Sequence, residues 1–344
     1  MYKTAIREGS LRETGIAAAF LGFGLSVMPH TANAQNVNIP AFFDQGKLTA
    51  TGGVNTISGA SGGGIVPWAL IGGDDTNKEI GGSVFYSHVF LNNFNVNVYG
   101  GTADFFDRFE VSYARQNFNL GTAGPDLDNK IIAGLGLSAG TTPADLPHSL
   151  QFPKNSSLNQ DIFGAKLRVY GNAVYDQFSY VPQISIGYQY HHNENVSTIR
   201  AIGSKPDGNE YYLAATKIWI DGLFGHYTTL SATLDFTNAV QNGLLGFGGV
   251  GQKTGYHVEP EFSGGWFVTR NLVVGGEYKF LPHFQQVGYV PLGNEFSKNS
   301  NWEDLYVAFF PIKQASITLA YVNLGSVASF GGQNGLYVSL NSSF

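Results

Sequence analysis

From residue 163 to 175 every second position is apolar or Gly (Phe163, Ala165, Leu167, Val169, Gly171, Ala173, Tyr175), while the alternate set holds Lys166, Arg168 and Asn172. A period of two marks a strand with one apolar and one polar face. The pattern returns in 181–191, where Ile184, Ile186, Tyr188 and Tyr190 oppose Gln183, Ser185, Gln189 and His191. In 229–236, Leu230, Ala232, Leu234 and Phe236 oppose Thr229, Ser231, Thr233 and Asp235. In 257–266, Val258, Pro260, Phe262, Gly264 and Trp266 oppose His257, Glu259, Glu261 and Ser263. Residues 272–280, 302–310, 315–323, 336–344, 94–102 and 108–118 follow the same rule, whereas 211–220 and 81–91 read as strands of ambiguous facing. Residues 48–57 and 64–72 are weaker strands, being Gly-rich, and Pro67 belongs at an edge or a strand end.

The tally is about 14 strands, or 12 if the first two stay out of the wall; bacterial barrels have even numbers. Gaps between strands alternate: long near 120–162, 192–210, 237–255, 282–301 and 325–335, short near 221–226, 268–271 and 311–314. Long loops on one side and short turns on the other are what a transmembrane barrel needs, and an even count leaves both termini in the periplasm. Aromatic residues toward strand ends (Phe163, Tyr175, Trp266, Phe280, Trp302, Phe309, Phe310) fit interface girdles, although a β-sandwich core rich in aromatics shares the alternation. The expected fold is therefore all-β: an antiparallel up-and-down transmembrane β-barrel.

The N-terminus sets the compartment. Lys3, Arg7 and Arg12 precede an uncharged apolar stretch, 15–27, followed by Ala32-Asn33-Ala34. That is the pattern of a cleavable secretory signal over residues 1–34, and the stretch is too short to cross the roughly 30 Å hydrocarbon core as a helix. Cleavage removes three basic and two acidic residues, taking the formal net charge from -6 to -7. Residues 35–46 then read as a periplasmic lead-in, and 47–344 as one barrel domain of the outer membrane with a long loop, 120–162, that could fold into the pore.

Composition narrows the classes further. Only 13% of residues are charged, mean hydropathy is -0.05, and no later segment has the 18 consecutive apolar residues of a membrane helix. No basic stripe is available for nucleic acid. Cysteine is absent, which excludes disulfides and thiolate metal sites and suits an oxidising periplasm.

Six stretches resemble one bacterial family, the domain of unknown function 3034: GGGIVPWALIGG (62–73), RFEVSYARQNFNLG (108–121), GAKLRVYGNAVYD (164–176), YYLAATKIW (211–219), NGLLGFGG (242–249) and AFFPIKQASITLAYVNLGSVA (308–328). The resemblance spans nearly the whole mature chain. It implies a secreted, barrel-like protein and supplies no activity, ligand or catalytic residue.

Familiar catalytic patterns are weak here. Gly246, Gly248 and Gly251 satisfy G-x-G-x-x-G, but the chain runs on into a strand, so no helix N-terminus can cradle a phosphate. Gln252 separates Gly251 from Lys253-Thr254 and breaks the P-loop spacing; tight loop turns account for the glycines. His191 and His192 adjoin on a strand and so point to opposite faces, which rules out joint chelation. Ser, His and Asp occur on the polar faces, but no nucleophile elbow is present, and the expectation is a non-enzyme without cofactor.

The informative charges are those on the lumen faces: Lys166, Arg168, Asp235, Glu259, Glu261, Glu277 and Lys279, with Arg108 and Glu110 on an earlier strand. Such a set either lines a hydrated pore or closes a narrow lumen with ion pairs. A hairpin near 268–270 permits a register with Glu259 opposite Lys279 and Glu261 opposite Glu277, which would favour cations. The leading expectation is a passive or weakly selective pore for small hydrophilic solutes; the alternative is an occluded barrel that binds a partner or serves as scaffold. Expected partners are outer-membrane lipid and the barrel-insertion machinery, the latter through the C-terminal strand ending at Phe344.

Overall fold

The computed structural model describes residues 46–138, 140–248, 255–281 and 299–344. The expected signal segment 1–34, nearly all of the expected lead-in and the positions Gly251, Gln252, Lys253 and Thr254 lie outside the described residues. Two short strands, β1 (Val54–Asn55) and β2 (Ser61–Gly62), form a small ladder of their own. Twelve more follow: β3 (Ile80–Leu91), β4 (Asn95–Phe105), β5 (Phe109–Asn119), β6 (Ser157–Tyr170), β7 (Gln183–Asn193), β8 (Asp207–Trp219), β9 (Thr228–Thr237), β10 (His257–Thr269), β11 (Leu272–Lys279), β12 (Trp302–Ile312), β13 (Ala315–Asn323) and β14 (Asn334–Ser343). Each pairs antiparallel with its sequence neighbour, and β14 closes on β3, with Tyr337 opposite Val89 and Ser343 opposite Ser83.

The wall is thus twelve strands, not fourteen. Segments 48–57 and 64–72 lie inside the barrel instead of in it. Their sequences explain this: Pro67 has no N–H for a ladder, and the Gly62-Gly63-Gly64 run has no side chains to present to lipid. Closure by an even number of strands leaves no edge and brings β3 and β14 out at the same end, here the near end.

Alternation holds along the wall. On β9, Leu230, Leu234 and Phe236 are exposed on the outer face, while Thr229, Ser231, Thr233 and Asp235 are buried inside. Phe262, Leu305, Val307, Leu319, Tyr321, Leu336 and Leu340 continue an apolar outer belt. Strands of 8–14 residues match the roughly 9–11 that a tilted strand needs to cross a bilayer.

At the far end of β3–β7 the pattern inverts. Val89, Val98, Phe118 and Ile162 point inward and are buried, and the outer face carries polar pairs: His88 with Asn97 (2.6 Å), Asn117 with Asn159 (2.6 Å) and Arg115 with Asp161 and Glu194 (3.3 and 2.6 Å). The strands here stand clear of the apolar belt: water wets the outside, and loops pack inside. Strand β6 accordingly starts at Ser157, inside the expected loop, and ends at Tyr170 instead of residue 175. Its far part has polar outward residues, so the alternation seen in 163–175 does not extend back through it. Beyond Tyr170, Gly171 turns at φ 74° and the Asn172 side chain accepts the N–H groups of Val174 and Tyr175, ending the strand.

The far end also holds the long loops. Helix α1 (Ala123–Gly134) buries Leu127 and Ile131. Its Lys130 donates to the Ser329 carbonyl (2.9 Å) and lies 3.8 Å from the centre of the Phe330 ring. Helix α2 (Val196–Ala201) buries Ile199. Loop 239–248 is buried along its length, turning at Gly243, Gly246 and Gly248 with φ of 82°, 86° and 51°, so these glycines serve turns.

Candidate functional site

The lumen is the site, and its interior is occupied by the chain itself. Residues 55–75 are buried throughout and cross the barrel as a plug. A segment with so little regular structure must satisfy its backbone groups elsewhere, and here wall side chains do so. Glu110 accepts the N–H of Ser61 and of Gly72 (3.0 Å each). Lys166 donates to the carbonyls of Ser61 (2.8 Å) and Leu70 (2.9 Å) and to Glu110 (3.2 Å), which uses all three ammonium protons. Gln183 and Ser185 both donate to the Ala69 carbonyl, and Ala69 N–H donates to Thr216 (2.8 Å). Thr233 donates to the Pro67 carbonyl (2.6 Å), and Gln116 to that of Ile57 (2.8 Å). Across the lumen, Glu277 accepts the Ile65 N–H (2.7 Å).

The opposite wall of the near end is apolar. There Trp68 of the plug and Phe267, Val273, Tyr306, Phe310 and Tyr337 line a cavity of about 40 Å³. Glycines at 62–64 permit the close approach: a Cβ on Gly63 would lie 1.9 Å from Glu277 Oε1.

At the near mouth Lys47 buckles the plug. It donates to the carbonyls of Ile71 (3.0 Å) and Gly72 (2.9 Å) and pairs with Asp75 (3.3 Å) and Asp107 (3.2 Å). Burial alone would lower the Lys47 pKa, but the Asp107 and Asp75 carboxylates outweigh it and raise the pKa. The C-terminus joins this end, where the Phe344 carbonyl accepts the N–H of Asp74 and Gly82.

Deeper in, toward the far end, lies a second charged group. The register sets Asp235 opposite Glu259 and Glu261 opposite Lys279. Lys279 Nζ is 2.7 Å from Glu261, 3.3 Å from Asp235 and 3.6 Å from Glu259, and donates to Asn242 Oδ1 (2.8 Å) in loop 239–248. Glu261 Oε1 is the nearest of the three carboxylate oxygens to that ammonium.

Of the nine residues expected in the lumen, Glu110, Lys166, Asp235, Glu259, Glu261, Glu277 and Lys279 are buried there. Arg108 is not: it lies exposed in the β4–β5 turn, where the strand has already ended. Arg168 sits at the near rim, paired with Asp107 and the Gly171 carbonyl, because β6 ends two residues later. The expected β10–β11 register is also corrected. Thr269 pairs with Leu272 across a two-residue turn, and a bulge between Phe267 and Thr269 shifts every later pair. Glu261 therefore faces Lys279 and Ser263 faces Glu277. His191 is buried inside and His192 is outside with Asp207 (2.6 Å), so they do face opposite ways. The plug contacts of Gln116 and Thr216 and the lumen positions of Glu210 and Asp304 were not singled out from sequence. Inward placement of Gln183, Ser185 and Thr233 was visible in the alternation, but their partner was not.

The molecule is a closed twelve-stranded antiparallel β-barrel with an apolar outer belt and an internal plug. The chain belongs to the family described as protein of unknown function DUF3034, whose profile matches residues 51–341 and so includes most of the plug. Among curated proteins no sequence matches it. Among solved structures it is similar to the KdgM porin (11% identity, 76% of this chain and 99% of that one, TM-score 0.40) and the NanC porin (8%, 76% and 98%, 0.41). It is also similar to the Acinetobacter baumannii outer membrane protein Omp33 (9%, 78% and 100%, 0.40).

Proposed function

We propose that the protein is an outer-membrane channel for small hydrophilic solutes that is closed at rest, with residues 47–75 as its gate. The observation that carries this reading is the chemistry of the plug's attachment. Glu110, Lys166, Gln183, Ser185, Thr216, Thr233 and Glu277 hold it largely through its backbone groups, and water can replace each of those partners as the plug moves. An apolar seal all round would have to be torn from its wall; this one is apolar on one side only. The reading places the apolar belt in lipid and uses the β14 terminus at Phe344 as the signal for the insertion machinery. It includes no catalytic step.

Conductance in planar bilayers tests it. The wild-type barrel should be silent or rarely open, and the double variant Glu110→Gln, Glu277→Gln should open often while keeping heat-modifiable mobility. A correctly folded double variant that never conducts would return the barrel to the alternative, an occluded scaffold or partner-binding protein.

A further inference from the structure

Among the described residues, the far-end cluster carries more negative charge than its surroundings neutralise. Asp235, Glu259 and Glu261 project from β9 and β10 into one space, and one carboxylate oxygen of each lies within 4.8 Å of the others. Directly opposed like charges, as at Asp235 and Glu259, repel one another. Glu210 on β8 adds a fourth carboxylate one diagonal step from Asp235, since Tyr211 pairs with Phe236 and Tyr212 with Asp235. All four are at least 95% buried.

Against them the described residues set one ammonium, Lys279, and two imidazoles: His257, 2.8 Å from Glu259, and His191, 3.9 Å from Glu210. Several of the oxygens also lack donors. Among the described residues, Glu210 Oε2, Asp235 Oδ1 and Glu261 Oε2 are buried with no hydrogen-bond partner, unlike Glu110, whose carboxylate takes three donors. Buried carboxylate oxygens without donors are what a cation would satisfy.

We propose that Asp235, Glu259 and Glu261, with Glu210 beside them, form a divalent-cation site of the calcium class, in which Lys279 is a tethered competitor that weakens binding. Carboxylate oxygens without nitrogen or sulfur donors select a hard cation. Ca²⁺ takes oxygens at roughly 2.3–2.6 Å in irregular arrangements, so ligands across the ion stand about 5 Å apart. The three carboxylates each offer an oxygen within 4.8 Å of the other two, close enough for one such ion to bridge them. Mg²⁺ requires a tighter octahedron, which carboxylates fixed on a barrel wall do not provide. Lys279 Nζ, held by three of these carboxylates, stands where the ion would stand, and Asn242 Oδ1 is the acceptor toward which it can withdraw.

The test uses the full mature barrel refolded in detergent, treated with chelator and titrated with CaCl2 or MgCl2 by calorimetry. One saturable Ca²⁺ per barrel is expected, at least tenfold tighter in Lys279→Met, at least tenfold weaker in Glu261→Gln, and without a matching Mg²⁺ isotherm. Heat-modifiable mobility checks folding; if Lys279→Met does not fold, Lys279→Gln is titrated in its place. In wild type, Ca²⁺ should also raise the unfolding temperature, and Glu261→Gln should abolish that rise. Absence of saturable Ca²⁺ binding in both wild type and the Lys279 variant overturns the proposal. So does unchanged affinity in Glu261→Gln, or Mg²⁺ binding as tightly as Ca²⁺. None of these readouts depends on whether the channel conducts.

Discussion

Two of the charged groups inside the barrel are built from the same residue types on the same kind of surface, yet they differ in how far their charges are satisfied. In the near-end group, Glu110 and Lys166 form a buried pair in which the ammonium is fully used and the carboxylate takes three donors. The partners are backbone groups of the plug, so the ion pair and the plug stabilise each other. In the far-end group Lys279 serves three carboxylates at once, and several of their oxygens have no donor. A buried ion pair is a strong fastener only where its remaining hydrogen-bonding capacity is met; otherwise its desolvation goes uncompensated. The first group fastens the plug, and the second sits beneath loop 239–248.

The largest expected effect comes from breaking the satisfied group. Lys166→Met leaves Glu110 buried without its counter-charge and strips two plug carbonyls of their donor, which should cost about 3–5 kcal/mol. Denaturant unfolding reads the loss, and limited proteolysis should cut within 47–75 in the variant before it cuts the wall. An unchanged cleavage pattern would mean that the plug is held by its apolar side alone.

The comparison sharpens when the same substitution is made in each group. Glu110→Gln leaves Lys166 buried without its counter-charge and the N–H groups of the plug with a weaker acceptor, and should cost about 3 kcal/mol. In chelator, Glu261→Gln removes one of several mutually repelling charges while Lys279 keeps Asp235 and Glu259 as partners, and should cost less than Glu110→Gln or stabilise. Equal losses in unfolding free energy would erase the distinction between the groups.

The smallest effect is expected outside the lumen, at the far rim, where Arg115 pairs with Asp161 and with the more exposed Glu194. Arg115 and Asp161 are half-buried and Arg115 holds Glu194 by two parallel hydrogen bonds, but water still reaches the pair, so Arg115→Ala should cost about 1 kcal/mol and leave both proteolysis and conductance unchanged. A larger loss would show that the rim, and not the lumen, carries the electrostatic stability.

How legible this was from sequence depends on the residue. The inward facing of Lys166, Asp235, Glu259, Glu261, Glu277 and Lys279 follows from alternation, because a strand in a wall has only two sides. Arg108 and Arg168 share the alternation but sit at strand ends, where the lumen has given way to the rim. Their misplacement reflects strand boundaries, which depend on turns such as Gly171-Asn172 more than on periodicity. The β10–β11 register escaped for a related reason: a bulge of one residue beside the turn moves every later pair, and too few residues lie between it and the turn for the alternation to show the shift.

Local chemistry alone determined the class of this protein. Polar and apolar residues alternate through β9 and β10, turns alternate with long loops, and no segment can span a membrane as a helix; together these leave few folds other than a barrel. What the lumen contains was decided only in three dimensions. Residues 48–57 and 64–72 could not be assigned a place by their own pattern, since Gly-rich chain has too few side chains to prefer lipid, water or protein. Their place is set by Glu110, Lys166, Thr233 and Glu277, which lie 38 to 212 residues away in sequence from the backbone groups they bind. Pairings of that range exist only once the barrel has closed and brought its walls to face one another.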